Sequence, residues 1–156
     1  MEQHVESYMV KGPYVGEGPQ SVKEALEVMR ECEIRHLPVV EENHLIGLVS
    51  ERDLREAMAL PQGAKLRLED VMKRNVYVAE SKTPLREIIQ EMADMKYGSV
   101  VVVDGSREVV GIFTTTDALR LLSEMLEDED ETEDELAIED YMESWRDDDE
   151  RIIGRV

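Results

Sequence analysis

The stretch G-L-V-S-E-R-D, from Gly47 to Asp53, returns as G-I-F-T-T-T-D from Gly111 to Asp117. Each copy ends an apolar run with a hydroxyl residue that an aspartate follows three positions later. That order is typical of a β-strand that runs into a capped helix N-terminus. The pattern therefore predicts two equivalent strand-to-helix junctions in one chain.

Longer segments on the N-terminal side of each junction are also duplicated, at nearly the same spacing as the junctions themselves. V-E-S-Y-M (Val5 to Met9) returns as L-E-D-V-M, and V-K-E-A-L-E-V-M (Val22 to Met29) returns as L-R-E-I-I-Q-E-M. A unit duplicated at this length folds as two similar halves, and the clefts between such halves are places where ligands bind. We divide the chain into repeat 1 (1–63), repeat 2 (64–126), an acidic linker (127–135), and a C-terminal amphipathic helix and tail (136–156).

Each repeat is predicted to form a helix, two strands and a second helix after an extended lead-in. In repeat 1, Ser21 is the expected N-cap, with Glu24 completing a capping box. The first apolar helical stripe is Val22, Ala25, Leu26 and Met29. Strands are predicted at 36–40 and 45–49, joined by a turn at 42–44, and Ser50 begins the second helix.

Repeat 2 follows the same order. Thr83 is the expected N-cap, because Pro84 suits the first helical position. The helix stripes are Leu85, Ile88, Ile89 and Met92, and then Ala118, Leu121, Leu122 and Met125. Strands are predicted at 99–103 and 109–113, with a D-G-S-R turn between them, and the last helix at 114–126.

Charge and composition limit the class of protein. The formal net charge is −19 over 156 residues, but residues 127–150 hold 15 acidic residues and one basic residue. Residues 1–126 carry a net charge of only −7, so the repeated body can still form a local basic site. No basic stripe is present for nucleic acid, and no run of about 18 apolar residues is present for a membrane. A single cysteine, Cys32, and an acidic N-terminus without an apolar core indicate a cytoplasmic protein, and no metal-ligand spacing occurs.

The two junctions have a structural and a functional interpretation. S-x-x-D and T-x-x-D are ordinary capping boxes, in which each side chain satisfies a free backbone amide. A helix N-terminus can also bind a phosphate, to which the hydroxyl can donate, while the aspartate accepts from ribose hydroxyls. The glycine would then allow a ligand to approach the strand closely. The duplication favours the binding interpretation.

These motifs together resemble the cystathionine-β-synthase (CBS) domain family from Val5 to about Met125, in two copies. The residues that carry the resemblance are D-V-M at Asp70, R-H-L-P-V-V at Arg35 to Val40, and the two junction motifs. The resemblance implies a stand-alone Bateman module of the α/β (α+β) class, with two β-α-β-β-α units related by pseudo-twofold symmetry and small sheets packed by helices. It also implies a homodimer and the binding of adenosine compounds (AMP, ADP, ATP or S-adenosylmethionine) in two clefts, with no required cofactor.

Carried over residue by residue, the resemblance implies two unequal clefts. In cleft 1, Asp53 would bind ribose, and Ser50 and Arg52 would meet the phosphate together with Arg35 and His36, while Thr83 closes the site. Cleft 2 would use Thr114, Thr116 and Asp117 with Gln20 from repeat 1. Its counterparts of Arg35 and His36 are Gly98 and Ser99. Cleft 1 is therefore expected to prefer phosphorylated adenosine, whereas cleft 2 is empty or suits S-adenosylmethionine or a neutral adenosine.

Two structural alternatives stand beside this assignment. Arg35 could pair with Glu31 or Glu33 at the end of the preceding helix, an exposed ion pair worth about 0–1 kcal/mol. His36 could be a satisfied histidine at a sheet edge.

The function predicted from these features is ligand sensing by a regulatory module that acts on an unknown effector protein. The alternative is a ligand-free dimeric scaffold, in which the junctions are only caps and the acidic tail binds a protein through a stripe of Ile138, Tyr141, Met142 and Trp145. That stripe fits better a short helix docked on its own module or on a dimer mate, because exposed apolar stripes are usually covered. An enzyme is not expected, because the chain lacks the length of a ~250-residue catalytic barrel and has no catalytic cysteine loop.

Overall fold

A computed structural model of the chain describes residues 1–129 and Ile138. Two compact units are present, residues 1–117 and residues 118–156. The predicted linker beyond Glu129 and the stripe at Tyr141, Met142 and Trp145 lie outside the described residues. Among those described, no helix has both the length and the apolar character needed to cross a membrane.

Repeat 1 has the predicted order of elements. A 3₁₀ turn (Val5–Ser7) and strand β1 (Val10–Lys11) form the lead-in, and they precede β2 (Gly16–Glu17), α1 (Val22–Glu31), β3 (His36–Glu41), β4 (His44–Ser50) and α2 (Glu51–Met58). The N-cap prediction at Ser21 is confirmed, since its side chain accepts from the Glu24 amide at 3.1 Å. That bond satisfies one of the amides that every helix N-terminus leaves free.

A 3₁₀ turn (Gly63–Lys65) spans the boundary between the repeats, and repeat 2 follows the same order. Its elements are α3 (Leu68–Val71), β5 (Val78–Glu80), α4 (Leu85–Met95), β6 (Ser99–Val103), β7 (Val109–Thr114) and α5 (115–129). The prediction that Thr83 caps α4 is wrong, because Pro84 occupies the N-cap position and α4 has no side-chain cap. The Thr83 hydroxyl instead accepts from the Glu80 amide at 3.2 Å, so it stabilises the turn before the helix.

Two small sheets form the centre of the first unit. In one, β2 runs parallel to β3 and β3 antiparallel to β4. The other has the order β1-β7-β6-β5. The core follows from the sequence: β6 is buried at every residue, and Val22, Ala25 and Met29 of α1 are buried as the helical spacing predicts. The stripe prediction is wrong at Ile89, Leu122 and Met125, which are exposed.

Each lead-in crosses to the other repeat. Strand β1, in the lead-in of repeat 1, pairs with β7 of repeat 2, with Lys11 opposite Gly111. In return, Lys73 after α3 pairs with Leu48 of β4 through two backbone hydrogen bonds of 2.9 Å. The two repeats therefore exchange their lead-ins and are held together by main-chain pairing as well as by their apolar faces.

The junction glycines make this exchange possible. A Cβ on Gly47 would overlap the Met72 thioether and lie 3.0 Å from the Lys73 carbonyl oxygen. A Cβ on Gly111 would overlap Met9 in the same way. The expectation that these glycines leave room for a ligand is wrong, since the methionine of the other repeat's lead-in fills that space.

Candidate functional site

A cavity of about 690 Å³ lies beside the first junction. Arg35 and His36 reach it from the start of β3, Ser50 from the end of β4, and the remaining residues from α2 and its end. The lining set is Arg35, His36, Ser50, Glu51, Arg52, Arg55, Glu56 and Ala59. Pockets of about 300–1,000 Å³ hold small-molecule ligands, so the volume fits a nucleotide-sized compound.

The capping box predicted at this junction is complete. The Ser50 hydroxyl accepts from the Asp53 amide at 3.1 Å, and the Ser50 amide donates to Asp53 Oδ2 at 3.4 Å. These contacts account for Ser50 and Asp53 as helix caps without any ligand. Evidence for a binding site must therefore come from the groups that surround the junction.

Three arginines and two glutamates line the cavity. Arg52 Nε lies 3.2 Å from Glu56 Oε1, and Arg55 NH2 lies 2.6 Å from Glu51 Oε1, both one helical turn apart on α2. Arg35 forms no ion pair with any residue in the described part of the chain, and the alternative pairing with Glu31 or Glu33 is not found there. The Arg35 guanidinium is thus the cation in the cavity wall that no described carboxylate neutralises.

His36 is half-buried beside these cations. Burial lowers the pKa of His36 below its usual 6.5, the charge of Asp53 opposes that shift, and Arg35 and Lys73 add to it. The ring is therefore neutral at neutral pH. A neutral imidazole can still donate one hydrogen bond and accept another.

Lys73 is a cation beside the first junction that the sequence did not predict. Its Nζ lies 3.8 Å from Asp53 Oδ2, although it belongs to the lead-in of repeat 2. Its counterpart in the lead-in of repeat 1 is Val10, which follows V-E-S-Y-M as Lys73 follows L-E-D-V-M. Lys73 directly follows the D-V-M motif in the sequence. Its position beside Asp53 could be predicted only by knowing that the lead-in of repeat 2 crosses to repeat 1.

Thr83, predicted for cleft 1, does not line this cavity, and neither does Asp53; Gln20 is predicted for cleft 2, at the other junction. Thr83 is engaged in its own turn, and its carbonyl accepts from the Val5 amide at 3.1 Å. Gln20 lies before α1, where its carbonyl accepts from the Leu68 amide at 2.9 Å. The structure brings together Arg35, His36, Ser50 and Arg52 around one cavity, with Asp53 in the cap beneath them.

The second junction repeats the caps, but the counterparts of Arg35 and Arg52 there are uncharged. The Thr114 amide and hydroxyl both donate to Asp117 Oδ2 at 2.8 Å. Thr116, the counterpart of Arg52, is exposed. Ser99, the counterpart of His36, is 3% exposed, and its hydroxyl has no hydrogen-bond partner among the described residues. The counterparts of Arg35, Arg52 and Lys73 are the uncharged Gly98, Thr116 and Val10, whereas the counterpart of Glu56 is Arg120.

The CBS domain family model matches residues 5–60 and, a second time, residues 68–124. The chain belongs to the CBS domain family. Its two repeats form a tandem CBS pair, which confirms the resemblance and the mixed α and β fold that it implied. CBS pairs are typically regulatory parts of proteins.

Solved structures with this fold include other CBS pairs. The CBS pair of protein MJ0100, solved with 5-methylthioadenosine and S-adenosyl-L-methionine, is 31% identical with a TM-score of 0.73. The match covers 80% of this chain and 99% of that one. A Vibrio cholerae protein assigned to acetoin utilization (AcuB) is 29% identical with a TM-score of 0.75, over 84% and 98% of the two chains.

Curated relatives are longer than this CBS pair. The L-aspartate semialdehyde sulfurtransferase of Methanocaldococcus jannaschii is 35% identical over 118 residues, which are 75% of this chain and 23% of that enzyme. The homoserine O-acetyltransferase of Methanohalobium evestigatum is 35% identical over 105 residues, 67% of this chain and 21% of that enzyme. The chain spans less than a quarter of the length of these two relatives, and each likeness is to that part alone.

Proposed function

We propose that this CBS pair is a regulatory module that binds a phosphorylated adenosine nucleotide in the cavity beside α2. The observation that carries the proposal is the set of three arginines around one cavity at a helix N-terminus, with Arg35 free of any ion pair among the described residues. Arginine binds phosphate through charge-assisted and often bidentate hydrogen bonds. A helix N-terminus adds a positive dipole end at the same place.

The ion pairs on α2 do not oppose this role. The side chain of Arg52 is 87% exposed and that of Arg55 is 72% exposed. Exposed pairs of this kind contribute about 0–1 kcal/mol to stability. Both arginines can therefore turn from their glutamates to a phosphate at small cost.

The ribose contact assigned to Asp53 can use the carboxylate oxygen that the helix cap does not. The cap bond and the approach of Lys73 both use Oδ2. Among the described residues, no hydrogen bond involves Oδ1. That oxygen is left to accept from the ribose hydroxyls while the cap stays intact.

The different side chains at the junction of repeat 2 support a second candidate ligand for the other cleft. The compounds bound to the MJ0100 pair, 5-methylthioadenosine and S-adenosylmethionine, carry no phosphate. Thr114, Asp117 and the buried Ser99 offer hydroxyl and carboxylate groups, and the counterparts of Arg35, Arg52 and Arg55 in repeat 2 are uncharged. A ligand of that class therefore fits cleft 2 better than a nucleotide does.

Ligand binding would act on a partner by shifting the packing of the two repeats or of two copies of the chain. The shift can be no larger than the difference in ligand affinity between the two states. We propose a cytoplasmic homodimer whose ligand-bound state is recognised by an effector protein and which has no catalytic activity of its own. The ligand-free scaffold remains the alternative, and the complete capping boxes at both junctions are the observation that favours it.

Thermal unfolding with a panel of AMP, ADP, ATP, S-adenosylmethionine and 5-methylthioadenosine tests the proposal. At 100 times its dissociation constant a ligand stabilises the folded state by about 2.7 kcal/mol. For a chain of this size that is a rise in Tm of roughly 5–10 °C. No shift with any compound at millimolar concentration would leave the scaffold as the function.

A further inference from the structure

Gly98 and Arg35 hold the same place in the two repeats, each directly before the first residue of a strand. The Arg35 carbonyl accepts from the Glu51 amide at 2.8 Å, and the Gly98 carbonyl accepts from the Thr115 amide at 3.1 Å. Both residues therefore fasten the start of a strand to the helix that follows the junction. Their backbone roles are the same, and only their side chains differ.

The backbone of Gly98 does not require glycine. Its φ lies outside the left-handed region. Among the glycines of the described residues, only Gly12 has a φ in that region. The space that the missing side chain leaves is occupied: a Cβ on Gly98 would lie 2.8 Å from His36 Nε2 and 3.3 Å from its Cε1. The imidazole of repeat 1 thus rests on the glycine of repeat 2, across the interface between the repeats.

We propose that Gly98 is a positioning residue that seats His36 in the wall of the repeat 1 cavity and so sets the affinity of that cavity for phosphorylated ligands. This inference rests on the proposed function. It gives the absence of a basic side chain at position 98 a steric cause, because any side chain there would displace the His36 ring from its present place.

A double-mutant cycle on the full chain tests the inference, with AMP as the ligand and calorimetry as the readout. Gly98→Ala is expected to weaken AMP binding about tenfold, the effect of losing one hydrogen bond to a charged group. The same substitution in a His36→Ala background should change the affinity by less than about twofold, because the ring on which Gly98 acts is gone. Equal losses in the two backgrounds would overturn the inference.

A second readout does not depend on the ligand. The chain has three histidines, so the NMR titration of His36 is assigned by its loss in His36→Ala. Gly98→Ala should move the ring towards solvent and raise the pKa of His36 towards 6.5. The matched control is Gly105→Ala, since a Cβ there meets nothing within 4 Å, and it should leave both the pKa and the affinity unchanged.

The two failures are distinguishable. If the wild type binds no adenosine compound, the proposed function fails, and an unchanged pKa of His36 in Gly98→Ala then overturns the inference as well. If the pKa rises but AMP affinity stays the same, the ring has moved without consequence, and the positioning role is contradicted.

Discussion

Replacing Gly47 by alanine is expected to lower the free energy of unfolding by about 1–3 kcal/mol, the usual cost of an added group in a packed site. The new methyl group would overlap the Met72 side chain and lie 3.0 Å from the Lys73 carbonyl oxygen. Met72 is flexible and can yield in part, but the backbone at Lys73 is fixed by two hydrogen bonds to Leu48. The substitution therefore strains the contact through which repeat 2 lies on repeat 1.

Chemical denaturation of matched variants measures this effect. Gly105→Ala is the control, because its methyl group meets no other atom within 4 Å. It reports how much alanine stabilises through the unfolded chain alone, about 0.4–1 kcal/mol. Gly111→Ala should behave like Gly47→Ala, because Met9 fills the equivalent space. If Gly47→Ala were as stable as Gly105→Ala, the crossed lead-ins would not be the packing contact described.

Replacing Arg35 by alanine is expected to weaken AMP binding about 10- to 100-fold, because hydrogen bonds to charged groups contribute about 1.5–3 kcal/mol. The loss should be specific for the phosphate, so the affinity for adenosine should change by less than about twofold. Arg35 is the suitable residue because no described carboxylate competes for it, whereas Arg52 and Arg55 are paired on α2.

Calorimetric titrations of AMP and of adenosine into the wild type, Arg35→Ala and a control variant measure these affinities. Arg86→Ala is the matched control, since it removes an exposed arginine on α4 that does not line the cavity. It changes the net charge by the same amount as Arg35→Ala, and it should bind AMP as the wild type does. An equal loss in Arg35→Ala and Arg86→Ala would mean that general attraction, rather than a phosphate contact, holds the ligand.

The local structure of this chain could be predicted because its signals are short-range. Ser21 precedes an apolar helical stripe, and valine-rich runs such as 99–103 are bounded by turn residues, so the elements follow from neighbours along the chain. Because the junction motif occurs twice in the sequence, the two junctions could be predicted to have the same local structure. The N-cap prediction at Thr83 failed because it also rested on neighbouring residues alone. A threonine before proline is compatible with a helix cap and with the turn that Thr83 in fact stabilises.

The features that the sequence could not predict join residues distant in the chain. Lys73 approaches Asp53, and Met72 fills the space beside Gly47, only because each lead-in crosses to the other repeat. Neither repeat taken alone contains that information. The contact of His36 with Gly98 is of the same kind. The missing side chain at position 98 of repeat 2 leaves room for the His36 ring of repeat 1.

The central claim is that a phosphate cavity lies at the junction of repeat 1. A crystal structure of the protein grown with AMP tests it most directly. The prediction is density for the phosphate within hydrogen-bond distance of Arg35 and the N-terminus of α2, with the ribose hydroxyls on Asp53. AMP bound only at the junction of Thr114 and Asp117, or an empty repeat 1 cavity at saturating AMP, would contradict the claim.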